Sequence, residues 1–460
     1  MPDPILFYST NRKSTPVTFP KALLKGIAPD GGLFMPEKIP VIDKASILKY
    51  KDLPYHDIAF DISRRFLTGQ IPDAELRRIA EESYNYPVPL EHVTGRKYIM
   101  RLDQGPTASF KDFAARMMGR LMQYYLQIEN RKLLILTATS GDTGSAVASA
   151  FYGLDNVQTV ILFPKAEVTD RQRKQMTTLG KNVHVLALDA KFDDCQALVK
   201  QAFADHDLDA LSLSSANSIN IGRLIPQIVY YFYAWSRLAL SADEKIIFSV
   251  PSGNFGDMMG GVLAMKMGLP VQKFIIATNE NDEFPEYLET GIYSRIEPSR
   301  NCISSAMNVG HPSNLARLID LYGGIMDEKG NILKQADRTA MQKDLWSAPF
   351  TDDQTRKTIK EAYDTYKVLL EPHGAVAWAG LIACLETDLL KTDPLPASDP
   401  LCVSLETAHP AKFPREIMKI LSITPALPQS LKGIEQKPEQ FTGISNNYTE
   451  FKQYLLETFQ

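Results

Sequence analysis

The stretch Leu133-Leu-Ile-Leu-Thr-Ala-Thr-Ser-Gly-Asp-Thr-Gly-Ser-Ala-Val-Ala-Ser-Ala150 holds a strand, a polar loop and a helix in one short run. The unbroken apolar run Leu133–Leu136 predicts a strand through Thr137 with both faces covered, the mark of a parallel sheet. Thr139–Ser145 is a hydroxyl- and glycine-rich loop, and the small residues of Ala146–Ala150 continue as a helix. The same order recurs twice. Ile246–Val250 leads into Pro251-Ser-Gly-Asn-Phe-Gly-Asp257 and then Gly260–Met267, and Leu401–Leu405 leads into Glu406-Thr-Ala-His-Pro-Ala-Lys-Phe-Pro414. Each unit leaves its polar loop at the carboxyl end of a strand, where open α/β sheets bind ligands.

Outward from these units the chain alternates from about Lys97. Strands are predicted near Tyr98–Arg101, Leu133–Thr137, Gln158–Phe163, Val183–Leu188, Ile246–Val250, Phe274–Thr278 and Leu401–Leu405. Helices are predicted near Phe110–Leu126, Gly144–Tyr152, Thr169–Thr178, Phe192–Ala204, Ile221–Leu238 and Gly256–Met267, with Pro226 kinking the fifth or delaying its start. Such alternation means an α/β protein with helices on both faces of parallel sheets. The Pro-rich opening, with helical patterns at Tyr55–Phe66 and Asp73–Ser83, is expected to form a small cap. Residues 281–345 are polar and irregular and are expected to leave the sheet. The tail after Leu427 is expected to be a surface extension. The expected domains are an N-terminal cap (1–92), a catalytic domain (93–430) with a smaller lobe inserted at about 112–240, and a C-terminal extension (431–460).

Composition narrows the function. At 460 residues the chain exceeds one ordinary core. Its 44% hydrophobic and 23% charged residues are those of a soluble globular protein. A net charge of -4 without a long basic run gives nucleic acid no purchase. Cys195, Cys302, Cys384 and Cys402 are far apart, so neither a zinc site nor a disulfide framework is expected, and a reducing compartment fits. The opening Met-Pro-Asp-Pro lacks a signal-peptide layout and no apolar run is long enough to span a bilayer, so a cytoplasmic protein is expected. Neither Gly-x-x-x-x-Gly-Lys-Ser/Thr nor Gly-x-Gly-x-x-Gly is present, which removes the usual support for a nucleotide site.

Gly105-Pro-Thr-Ala-Ser-Phe-Lys-Asp-Phe-Ala-Ala-Arg116 supplies the chemically unusual residue. Gly105 and Pro106 interrupt what precedes, Thr107 and Ser109 are candidate N-caps, and a helical pattern follows from Phe110. Lys111 therefore sits at a helix start, where the dipole disfavours a cation and apolar neighbours favour a neutral, nucleophilic amine. A solvated surface lysine is the plainer reading of Lys111 alone.

Taken with the three loops, with Tyr8-Ser-Thr-Asn-Arg12, Asp30-Gly-Gly-Leu-Phe-Met-Pro36 and Asn217-Ser-Ile-Asn-Ile-Gly-Arg223, the chain closely resembles the threonine synthase family. These are pyridoxal-phosphate enzymes of the tryptophan-synthase-β class (fold type II), and the likeness runs through nearly the whole chain in order. It implies two parallel-sheet lobes and the conversion of O-phospho-L-homoserine and water to L-threonine and phosphate, through a Schiff base of pyridoxal phosphate on Lys111. It also implies that Gly253, Asn254, Phe255, Gly256 and Asp257 hold the cofactor's phosphate, a role that glycines and free N–H groups at a helix start suit. Thr407 would face the pyridine nitrogen. Asp142, where relatives often carry Asn, would lie beside the ring's 3-oxygen. Ser140, Gly141 and Thr143 would take the substrate's carboxylate, and Asn217, Ser218, Asn220 and Arg223 its phosphate.

Two departures stand out: Gln104 replaces a frequent His before Gly-Pro-Thr, and Lys111 is followed by Asp112-Phe113, the pattern of the longer bacterial and fungal type. His409 is either a substrate contact or a packed loop residue. The competing functions are a related phospho-lyase releasing a keto acid and a non-catalytic homologue that only binds the cofactor. The partner is a small molecule, with no nucleic acid or membrane, acting on a monomer or small homo-oligomer.

Overall fold

A computed structural model describes residues 3–387 and 399–460. Two sheets organise them. The larger has six strands in the order Leu345–Pro349, Val271–Thr278, Ile246–Pro251, Leu401–Glu406, Lys97–Arg101, Leu90–Thr94; the first five are parallel and the last is an antiparallel edge. The smaller has five parallel strands, Thr442–Ile444, Val183–Leu188, Val157–Pro164, Leu133–Ala138 and Leu213–Ser215. The seven predicted strands are all here, and in three of them, Leu133–Ala138, Ile246–Pro251 and Leu401–Glu406, every residue is buried.

The helices follow the sequence pattern closely. Phe192–Ala204 and Asp73–Ser83 have the expected bounds, and the predicted break at Pro226 divides Ile221–Gln227 from Val229–Leu238. Proline contributes no N–H to the ladder, and the chain passes from one helix to the other through Ile228. The opening segment is mainly helical, with one small antiparallel pair, Phe7–Ser9 with Phe34–Pro36.

Two expectations need correction. The tail is not a surface extension: Thr442–Ile444 adds to the edge of Val183–Leu188, and Tyr448–Phe459 buries Phe451 and Leu455 against the Phe192–Ala204 layer. Residues 281–345 do leave the sheet, but not as irregular chain. Helices Glu283–Thr290, Leu315–Leu321 and Arg338–Asp344 fold within them, and the strand Leu345–Pro349 then rejoins the sheet beside Val271–Thr278. Among the described residues no helix is long and apolar enough to cross a membrane.

Candidate active site

The carboxyl-end loops of both sheets meet around Lys111, the first residue of the helix Lys111–Glu129. Thr107 and Ser109 do not cap that helix; Phe110 occupies the cap position. Thr107 instead donates its N–H (2.8 Å) and its hydroxyl (2.7 Å) to the buried carboxylate of Asp112. The acid reaches back and fastens the turn because a carboxylate accepts several donors at once. The Phe110 N–H donates to the Thr407 carbonyl at 2.8 Å and Ser109 bridges Ala408, so the strand-end loop Glu406–Pro414 pins the lysine's backbone. Lys111 Nζ lies 4.7 Å from the Phe110 ring centroid and 4.0 Å from Asp142 Oδ2. Burial lowers the basicity of its amine, Asp142 opposes this, and the charges of Lys412 and Arg223 lower it further.

Asp142 opens the helix Asp142–Phe151. Its Oδ1 accepts from Lys412 Nζ at 2.7 Å and from Gln172 Nε2 at 2.8 Å. Burial opposes ionisation, yet the charges of Lys412 and Lys111 and these two hydrogen bonds hold the carboxyl far below the usual carboxylate range. Gly141 has φ 131°, and a Cβ there would lie 2.5 Å from Gln172 Cδ, so both backbone and space require glycine. Thr139 Oγ1 accepts from the N–H groups of Gly141 and Gly144, leaving those of Asp142 and Thr143 at the helix start beside Ser140.

The Gly253–Asp257 loop ends at the helix Gly256–Lys266, with Phe255 at φ 62° and its ring edge-on to Phe284 at 4.9 Å. Among the described residues none accepts a hydrogen bond from the N–H groups of residues 253–258, while the Asn254 carbonyl is held by Asn314. Six unclaimed donors at a helix start form an anion cradle. A Cβ on Gly253 would lie 2.9 Å from Met307 Cα, and one on Gly256 3.2 Å from Ser218 Cβ, so the loop is close-packed on both sides. Asp257 turns its carboxylate elsewhere: Oδ1 accepts from the hydroxyls of Tyr230 and Tyr231, and burial pushes its pKa up to about 6.

Beside this cradle Arg223 is buried, with Nη1 donating to the Ala216 carbonyl at 2.8 Å and Nε unpartnered. Burial draws it down to about 10, against the pull of Asp112 and Tyr230. Asn217 Oδ1 is likewise buried and unpartnered, and Ser218 shares a 3.2 Å contact with Ser313. Asn220 departs from its expected place in the substrate pocket. Its Nδ2 donates to the carbonyls of Leu23 and Ser215, and its Oδ1 accepts from Gly222 as the helix cap, so no group of its amide is left for a ligand.

Thr407 is buried, with its backbone pinning Phe110. His409 and Gln104 line one cavity of about 230 Å³ with Arg101 and Asp103. His409 Nδ1 accepts from the Ala411 N–H at 3.1 Å, and burial together with the charges of Arg101 and Lys412 lowers its pKa to about 4.

Sequence reading missed three contributors. Lys412 and Gln172 fix Asp142. Arg317, fully buried, donates to the carbonyls of Phe34, Ser218 and Ile219 and to Asn314 Oδ1, so it holds the Asn217–Arg223 loop. Only the placement of Lys412 in a strand-end loop offered a signal.

A ligand suited to this place carries an anion for residues 253–258 and an electrophile for a neutral amine, and the uncompensated Arg223 asks for a second anion. Pyridoxal phosphate has the first two and fits. Family models match throughout: threonine synthase N terminus at residues 6–84, pyridoxal-phosphate dependent enzyme at 84–403, and threonine synthase C-terminal at 392–455. The threonine synthase of Haemophilus influenzae is 39% identical over 98% of this chain and 99% of its own length. That of Saccharomyces cerevisiae is 35% identical over 92% and 90%. The solved pyridoxal-phosphate-bound threonine synthase of Brucella melitensis superposes with a TM-score of 0.90 at 34% identity, covering 99% of this chain and 100% of that one. The chain belongs to the threonine synthase family of pyridoxal-phosphate-dependent enzymes.

Proposed function

We propose that this enzyme converts O-phospho-L-homoserine and water to L-threonine and phosphate. The observation that carries the reading is the second anion site. Arg223 is buried with no carboxylate at ion-pair distance among the described residues, beside a cradle of free N–H groups that already suits one phosphate. A substrate bearing its own phosphate accounts for both.

When bound, pyridoxal phosphate supplies the electron sink that acidifies hydrogens along the substrate's carbon chain. The protein's part follows from its residues. Lys111 Nζ would hold the cofactor and, once freed by substrate, would take the proton from the α-carbon and, after giving that proton up, the one from the β-carbon; burial lowers its basicity and so favours the free amine. The N–H groups of Gly253–Asp257 hold the cofactor's phosphate. Ser140 and Thr143, with the N–H groups of Asp142 and Thr143 at the helix start, would hold the substrate's carboxylate, while Gly141, whose N–H goes to Thr139, shapes the turn. Arg223 with Asn217 and Ser218 holds the departing phosphate, and Asn220 keeps their loop in place. Asp142 would serve the ring's 3-oxygen, and the uncharged Thr407 hydroxyl the ring nitrogen. Every group named comes from one chain, so a monomer suffices and a small homo-oligomer adds none of them. Four free, buried cysteines support a reducing, cytoplasmic setting. The cap (1–92), catalytic domain (93–430) and C-terminal extension (431–460) remain our division of the chain.

The test is incubation of the purified, cofactor-loaded enzyme with O-phospho-L-homoserine, followed by assays for threonine, phosphate and 2-oxobutyrate. Equal amounts of threonine and phosphate support the reading. Oxobutyrate in place of threonine would replace it with a phospho-lyase, and no turnover with a binding protein.

A further inference from the structure

Lys412 is a buried lysine in the turn Pro410–Lys412, and the chemistry above does not use it. Its Nζ meets Asp142 Oδ1 at 2.7 Å and the Thr107 carbonyl at 2.9 Å. Gln172 Nε2 approaches the same Oδ1. Lys111 faces the other oxygen, Oδ2, at 4.0 Å, beyond hydrogen-bond distance. One carboxylate thus stands between two lysines, and its hydrogen bonds go to the one that is not the nucleophile. We propose that Lys412 is the fixed counter-ion of Asp142, placed so that the carboxylate does not retain a proton on Lys111 and the Lys111 nitrogen remains a free amine.

The argument is electrostatic. A buried carboxylate stabilises a neighbouring ammonium strongly, more so at short range and with a hydrogen bond. Without Lys412, the charge of Asp142 would act on Lys111 alone and keep it protonated and inert. With Lys412 at 2.7 Å that charge is already matched. The other charged groups that act on Lys111 are Arg223, which disfavours its proton, and Glu371, which favours it; Asp257 also feels its charge. Lys412 acts on Lys111 through Asp142 and through its own charge, without a part in the chemistry, and is therefore a positioning residue.

This inference rests on Lys111 being the amine that carries the cofactor. The test uses the full-length chain freed of cofactor, acylated at graded pH, with the extent of modification at Lys111 read by peptide mass spectrometry. Lys412→Met is expected to move the Lys111 midpoint up by at least ~1 pH unit, a roughly tenfold loss of free amine at neutral pH. Lys412→Gln, which keeps a donor for the Thr107 carbonyl, should do the same and carries the test if Lys412→Met does not fold. Lys412→Arg should restore the wild-type midpoint, and Asp142→Asn should lower it. In the loaded enzyme the acid limb of the kcat profile should shift upward with the same variants. A Lys111 midpoint that is unchanged or lower in a folded Lys412→Met or Lys412→Gln chain overturns the proposal. Borohydride fixation of the cofactor on a lysine other than Lys111 would instead overturn the anchor assignment, so the two failures are distinguishable.

Discussion

Two buried arginines separate what a charge does for the fold from what it does for a ligand. Among the described residues Arg317 makes five hydrogen bonds to protein acceptors, whereas Arg223 makes one and leaves Nε unpartnered. A buried charge without compensation costs stability, so Arg223→Met should raise the stability of the cofactor-free chain by about 1–4 kcal/mol, measured by denaturant melting. The same change should lower kcat/KM for the phosphorylated substrate at least ~30-fold, from the roughly 2–5 kcal/mol lost when one partner of a buried charge contact is removed. An unchanged kcat/KM would dismiss Arg223 from the phosphate pocket. His409 gives a pH dependence. Its folded pKa of about 4 lies below the ordinary value, so its contribution is present above about pH 6.5 and is lost as pH falls towards 4. His409→Gln, which keeps an acceptor for the Ala411 N–H, should lose less melting temperature between pH 6.5 and 4 than the wild type does. At this scale the placing of Lys111 at a helix start and of the Gly253–Asp257 loop between strand and helix was legible from residue types, whereas the roles expected of them and of Arg223 came from the family resemblance. Lys412, Gln172 and Arg317 were not: their roles depend on Asp142 and on carbonyls that are remote along the chain.

Among elements, legibility follows burial. Strands covered on both faces read as unbroken apolar runs, and Leu133–Ala138, Ile246–Pro251 and Leu401–Glu406 were found for that reason. The strands of the two large sheets that escaped notice, Leu90–Thr94, Leu213–Ser215, Leu345–Pro349 and Thr442–Ile444, are short, polar or at sheet edges, where one face needs no apolar cover. The closing helix Tyr448–Phe459 was missed too, although Phe451 is fully buried in the core of the smaller sheet. Phe451→Ala should cost about 3–5 kcal/mol, seen as a lower apparent Tm. A change within error would mean that the tail is the loose extension its composition suggested.

The molecule as a whole is sewn together where the sequence is far apart. Arg317 joins Phe34 of the opening segment to Ser218 and Ile219 of the Asn217–Arg223 loop. Unlike Arg223→Met, Arg317→Met should destabilise, by several kcal/mol, because buried carbonyls lose charge-assisted donors at about 1–3 kcal/mol each. Opposite shifts in Tm for the two arginine-to-methionine changes are the expected result, and equal shifts would remove the distinction drawn between them. Tyr84 and Arg116 add further ties, from the Tyr84 hydroxyl to the Phe113 carbonyl and from Arg116 of the helix Lys111–Glu129 to the Ser83 carbonyl. The strand Leu401–Glu406 belongs to the middle of the larger sheet, between Ile246–Pro251 and Lys97–Arg101, although it is among the last to be synthesised. At roughly 5–20 residues per second, a ribosome needs on the order of ten seconds to travel from Pro251 to Leu401. By the end of that interval the strands Lys97–Arg101 and Ile246–Pro251 have both been made, and no strand yet joins them. The nascent chain therefore carries two unjoined sheet edges until its last part is made, and Lys111 waits for residues near 407 to pin its backbone.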